Sequence, residues 1–146
     1  MNRVPARRKG AKRIIGLVFP LAIMMATAAN AHADVRIGGS AFSANGQLAR
    51  DYQYTGSCPV DLKFDWGLIS TEPTTVTYSF VRSDGGHSST SQSIELPNAN
   101  RSVPIIDEWN LGANTQQFAN YNGWVQINIE SPNPISQKIN FTIHCQ

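Results

Sequence analysis

Lys138-Ile139-Asn140-Phe141-Thr142-Ile143-His144-Cys145 decides the fold of this 146-residue chain. Ile139, Phe141, Ile143 and Cys145 share one side of an extended backbone; Asn140, Thr142 and His144 share the other. Strict alternation of this kind marks a strand with one face buried. The same pattern recurs upstream. Cys58, Val60, Leu62 and Phe64 oppose Asp61 and Lys63; Val76, Tyr78 and Phe80 oppose Thr77 and Ser79; Val125, Ile127 and Ile129 oppose Gln126, Asn128 and Glu130. Weaker strands are read over Val35–Phe42, Ser91–Leu96 and Ser102–Trp109, the last marked as an edge by Pro104.

Turn chemistry separates these runs. Ser83-Asp84-Gly85-Gly86 suits a tight reversal, and Pro97-Asn98-Ala99-Asn100 and Ser131-Pro132-Asn133-Pro134 are turns. Asn110–Asn122 is a longer polar connection with room for one short helix near Thr115–Ala119. From residue 34 onward 31 of 113 residues are Ser, Thr or Asn. Their side chains compete for backbone hydrogen bonds, which favours strands and turns over helices. The expectation is an all-β, immunoglobulin-like antiparallel β-sandwich of about seven strands, with a small barrel or jelly roll as the alternative.

Charge divides the chain in two. The formal net charge is +2, yet six of the 12 basic residues lie within Met1–Arg13, and no acid precedes Asp34. From Asp34 onward six basic side chains face ten acidic ones, a net charge of −4. That argues against a nucleic-acid partner or a polybasic membrane-surface role. Behind the basic start, Ile14–Ala28 is apolar but short and broken by Pro20, and Ala31-His32-Ala33 offers a small-x-small cleavage pattern. Residues 1–33 are read as a secretory signal peptide and 34–146 as one β-sandwich domain, secreted or periplasmic, with no membrane span after cleavage.

Export fits the cysteines. The mature part holds two, Cys58 and Cys145, without Cys-x-x-Cys spacing or a flanking His set suited to metal. They are expected to form one disulfide between the start of the second strand and the end of the last. Closing a loop of roughly 90 residues is worth about 4–5 kcal/mol in the chain-entropy model.

The segments Tyr54-Thr55-Gly56-Ser57-Cys58-Pro59, Val76–Gly85, Gly123-Trp124-Val125, Ser131-Pro132 and Phe141–Cys145 together resemble small secreted bacterial domains with an immunoglobulin-like sandwich. The likeness runs from about Tyr54 to Cys145. It implies a fold and carries no catalytic residues with it. Fimbrial subunits are similar in size and in Ser, Thr and Asn content. They are expected to show an early cysteine pair and a donor strand; here the pair spans nearly the whole domain.

No catalytic set emerges. After cleavage only His87 and His144 remain, one in a polar loop and one on an outward strand face; there is no Gly-x-Ser-x-Gly and no His-Glu-x-x-His. Asp107-Glu108 point to opposite faces, Asp61 and Asp65 flank Lys63, and Asp84 stands alone before two glycines, too few oxygens for calcium. If the source is bacterial, as the leader and the resemblance imply, the triplets Asn100-Arg101-Ser102 and Asn140-Phe141-Thr142 carry no meaning. No metal and no cofactor is expected, and no enzyme. The aromatics offer more: Trp66, in Asp65-Trp66-Gly67 just past an expected strand end, and Phe118, Tyr121 and Trp124 are candidate binding residues, with Asn114, Gln116, Gln117, Asn120 and Asn122 as hydrogen-bonding neighbours. The expected role is a non-enzymatic module that binds a macromolecule, protein or glycan. The alternatives are a fimbria-like assembly subunit and a small hydrolase.

Overall fold

The structure, a computed structural model, describes residues 32–87, 90–112 and 120–146. The signal-peptide reading falls almost wholly on residues outside this set, as do Phe118 and the short helix expected near Thr115–Ala119.

Strand β1 (Val35–Ala44) turns into β2 (Gln47–Leu48) through Asn45-Gly46, both at positive φ (48° and 76°). This is the backbone a two-residue reversal demands. A single 3-10 turn, Arg50–Tyr52, leads to β3 (Gln53–Gly56). There follow β4 (Val60–Ser70), β5 (Thr74–Arg82), β6 (Gln92–Leu96), β7 (Ser102–Leu111), β8 (Asn120–Ser131) and β9 (Ile135–Cys145). They form a four-stranded sheet in the order β2-β1-β4-β7 and a five-stranded sheet in the order β3-β9-β8-β5-β6. In immunoglobulin lettering β1, β4 and β7 stand where A, B and E belong, and β5, β8 and β9 where C, F and G belong. The chain is an immunoglobulin-like sandwich. One pair departs from the antiparallel expectation: β3 runs parallel to β9, Gln53 beside Thr142 and Gly56 beside Cys145.

Alternation fills the space between the sheets. Val60, Leu62, Phe64, Trp66 and Leu68 of β4 meet Val125, Ile127 and Ile129 of β8 and Ile139, Phe141 and Ile143 of β9, all in one core. The aromatic rings chain together: Phe64 lies 5.1 Å from Phe141 and Trp66 5.3 Å from Phe80, centroid to centroid. These separations suit tilted aromatic pairs.

Two devices tie the sheets together. Cys58 and Cys145 are bridged, Cα atoms 5.4 Å apart, across a sequence separation of 87. The bridge joins the approach to β4 with the end of β9, rather than the B and F strands of immunoglobulins. Elsewhere Arg82 of β5 reaches across the sandwich to Asp107 of β7: Nε donates to Oδ2 at 2.9 Å and Nη2 to Oδ1 at 2.6 Å. The guanidinium also sits 5.3 Å from the Trp109 ring centre. A forked, charge-assisted bond with a ring beneath it is the geometry arginine favours.

The structure corrects the sequence reading at β4. Asp65-Trp66-Gly67 does not lie past a strand end. The strand continues to Ser70, paired on both sides with β1 and β7. Gly67 permits this flat passage, since a Cβ there would collide with Ser102 Oγ of β7.

Candidate functional site

The outward faces of β8, β9 and β3 form three cross-strand rungs. Asn120, His144 and Thr55 make the first; Asn122, Thr142 and Gln53 the second; Trp124 and Asn140 begin the third. Two rungs are tied by side chains: Asn120 Oδ1 lies 2.7 Å from His144 Nδ1, and Thr142 Oγ1 donates to Asn122 Oδ1 at 2.9 Å. Such cross-strand pairs fix side-chain direction on a sheet face.

The 3-10 turn completes the third rung. Asp51 and Tyr52 both adopt positive φ (59° and 58°). For a bulky Tyr that conformation is an outlier, worth about 1–3 kcal/mol of strain. It is held by burial: the Tyr52 ring packs 6.4 Å from Phe42, against the core. The turn swings exposed Asp51 and Gln53 beside the sheet face. Between turn and rungs lies a shallow, open depression of about 360 Å³, lined by Asp51, Tyr52, Gln53, Asn122, Trp124, Asn140 and their neighbours.

Trp124 walls the depression. Lys138 Nζ sits 4.2 Å from its ring centre. Lys138 is paired with Gln126, one rung further along β8. The ammonium therefore holds the ring from the side away from Asn122 and the depression. A cation over an indole face stabilises the ring's pose by about 0.5–1 kcal/mol.

The four aromatic candidates fare differently. Trp66 is fully buried in β4 and cannot present a surface; its indole Nε1 finds no acceptor among the described residues. Tyr121 has the inward parity of β8. Its ring packs on Trp109 and Phe141 at 5.8 and 6.0 Å, and its hydroxyl lies 2.7 Å from Ser83 Oγ. It closes the end of the core rather than lining the depression. Gly123 makes room for it, because a Cβ there would lie 2.7 Å from Phe141 and closer still to the Tyr121 ring. Phe118 lies outside the described residues. Trp124 is the one of these that stands on the outer sheet face.

Asp51, Gln53 and Asn140 were not among the sequence candidates. The alternation that puts Asn140 and Thr142 outward was legible. The parallel pairing that brings Gln53 beside them was not, and nothing in Arg50-Asp51-Tyr52 announces two successive left-handed residues.

A second depression, about 600 Å³, lies on the four-stranded sheet against Asp61, Lys63, Glu108, Trp109 and Asn110. It is larger but offers less. Trp109 is only 7% exposed, and Asp61 already accepts from Asn110 Nδ2 at 2.6 Å. Among the described residues no three His, Cys, Asp or Glu side chains stand close enough to share a metal ion, and no helix is long and apolar enough to cross a membrane. His87 is exposed in its turn, and Asp84 is engaged with the Gly86 amide at 2.8 Å.

No family model matches the chain, and no curated protein matches it. Among solved structures it is similar to the CARDB domain of a Pyrococcus furiosus protein, determined in complex with di-metal ions. The identity is 6% and the TM-score 0.49, over 79% of this chain and 96% of that one. At that identity the similarity is one of overall fold, and no ligand is carried across.

Proposed function

We propose that this chain is an exported, non-enzymatic binding module that holds a macromolecule against the outer face of its five-stranded sheet. The observation that carries the reading is the depression beside Trp124: an oriented aromatic wall, exposed amides on paired strands, and a strained turn that adds Asp51 and Gln53. Backbone strain kept by surrounding packing is often found at binding surfaces. Export is supported by the leader pattern of residues 1–33 and by a disulfide, which persists in oxidising compartments.

Two measurements test this. N-terminal sequencing of the protein recovered outside the cytoplasm should begin at Asp34; a chain retaining residues 1–33 contradicts the export reading. Co-sedimentation with isolated cell envelopes should be lost in the triple variant Asn122→Ala, Trp124→Ala, Asn140→Ala. It should persist in Lys63→Ala, Ile106→Ser, which alters the other sheet. Equal retention of both variants, or loss only in the second, defeats the assignment of the face.

A further inference from the structure

Resting on that reading, we infer that the ligand of the Trp124 face is a neutral glycan chain, gripped by one pyranose ring stacked on the indole and by hydroxyl contacts to Asp51, Gln53, Asn122 and Asn140. Four observations converge on this class of ligand.

The first is the lining itself. A sugar ring has one apolar C–H face and a rim of hydroxyls that both donate and accept. It therefore needs an aromatic plane beside groups of mixed hydrogen-bonding character. Trp124 supplies the plane. Amide side chains carry a donor and an acceptor on the same plane, and a carboxylate accepts from two adjacent hydroxyls. Asn140, Gln53 and Asp51 are exposed and make no side-chain hydrogen bond among the described residues, and Asn122 uses only its oxygen, towards Thr142.

The second is rigidity. The amides stand on paired strands, and the indole is held from behind by Lys138. Preorganised groups lose less rotamer entropy when a ligand arrives. That matters for a saccharide, whose own gain per contact is small because each hydroxyl exchanges water for protein.

The third is charge. The face holds Asp51 on one side of Trp124 and Lys138 on the other, in a mature domain of net −4. A polyanion would meet one carboxylate and two separate cations, Lys138 already engaged with the ring and Arg50 beside Asp51 in the turn, rather than a basic cluster. Phosphate-rich partners need clustered Lys and Arg.

The fourth is what the face lacks. The exposed large apolar side chains among the described residues are Leu48 and Ile106, and both belong to the four-stranded sheet. Protein interfaces draw affinity from a desolvated apolar centre. The depression offers two half-buried aromatics, Trp124 and Tyr52, amid polar groups, too wet a centre for a protein but suited to a hydroxylated chain.

Calorimetric titration of the exported protein with cello-, chito-, malto- and mannohexaose tests the assignment, with an alginate hexamer as the anionic comparison. At least one neutral hexaose is expected to bind. Trp124→Ala should weaken it about tenfold or more, Trp124→Phe should lose less, and Asn122→Ala, Asn140→Ala should also weaken it. Lys63→Ala should leave it unchanged. The two Asn positions are exposed, so that double variant keeps the test clear if Trp124→Ala folds poorly; unfolding midpoints check each protein. Hexaose binding indifferent to both Trp124 and the amides overturns the inference, as does tighter binding of alginate. If no hexaose binds while envelope retention still depends on Trp124, the glycan assignment falls and the binding-module reading stands.

Discussion

Trp66 and Trp124 place the same side chain on the two sides of one sandwich. Trp66 sits between the sheets, fully buried, with Phe64 and Phe80 against its ring and its N–H left without an acceptor among the described residues. Trp124 lies half-buried on an outer face, with an ammonium on one side and an open depression on the other. The first has given up its polar atom to fill volume. The second keeps a plane available to something not part of the chain. The difference rests on strand parity, since one residue along β8 separates inward Gly123 from outward Trp124. The two tryptophans thus divide by parity into one that holds the fold and one suited to contact.

Substitutions can break or sharpen this contrast. The largest effect is expected at Trp66→Ala, which should cost about 3–5 kcal/mol of unfolding free energy by denaturant titration. Trp66→Phe should cost distinctly less, since it keeps a ring and removes the unpartnered N–H. A loss below about 1 kcal/mol for Trp66→Ala would mean that the core does not depend on this ring. Next comes Gly123→Ala, which forces Tyr121 and Phe141 apart and should cost about 1–3 kcal/mol while leaving Trp124 in place.

A smaller, pH-dependent effect should appear at Tyr78. Burial raises its phenol above the ordinary value of 10.0, and its hydroxyl donates to Gln92 Oε1 at 2.9 Å. The folded state holds this proton more tightly than the unfolded state. Its contribution is therefore complete below about pH 10 and is lost as pH rises through the folded pKa. Melting temperatures should fall more steeply above pH 10 in wild type than in Tyr78→Phe; parallel curves would exclude this group as the cause. The smallest effect on stability is expected from Trp124→Ala, at about 0.5–1 kcal/mol. A loss near that of Trp66→Ala would erase the contrast.

Much of the fold was legible because it rests on local chemistry. The alternation in Ile139–Cys145 and Val125–Ile129, and the cysteine parity, each point to one buried face, and the sheets formed accordingly. The two-residue β2 behind Asn45-Gly46 was not read, because so short a strand shows no alternation of its own. Trp66 was misplaced because the strand was ended at Phe64, whereas the alternation runs on through Trp66 and Leu68, past a Gly67 whose missing Cβ leaves room for Ser102 Oγ. The candidate site was less legible. Asn140 and Thr142 could be set on the outer face, but their neighbours come from β3, more than 80 residues away, through a parallel pairing that no local pattern encodes. The turn at Asp51 and Tyr52 is imposed by packing on Phe42 rather than by residue preference.

The central claim is that the face around Trp124 meets a partner while the opposite sheet does not. A photo-crosslinking amino acid placed at position 140, and separately at position 63 on the other sheet, tests it in intact cells. The account predicts a discrete adduct from position 140, lost when Trp124→Ala is added, and none from position 63. An adduct from position 63 alone, or one from position 140 that survives Trp124→Ala unchanged, would contradict it.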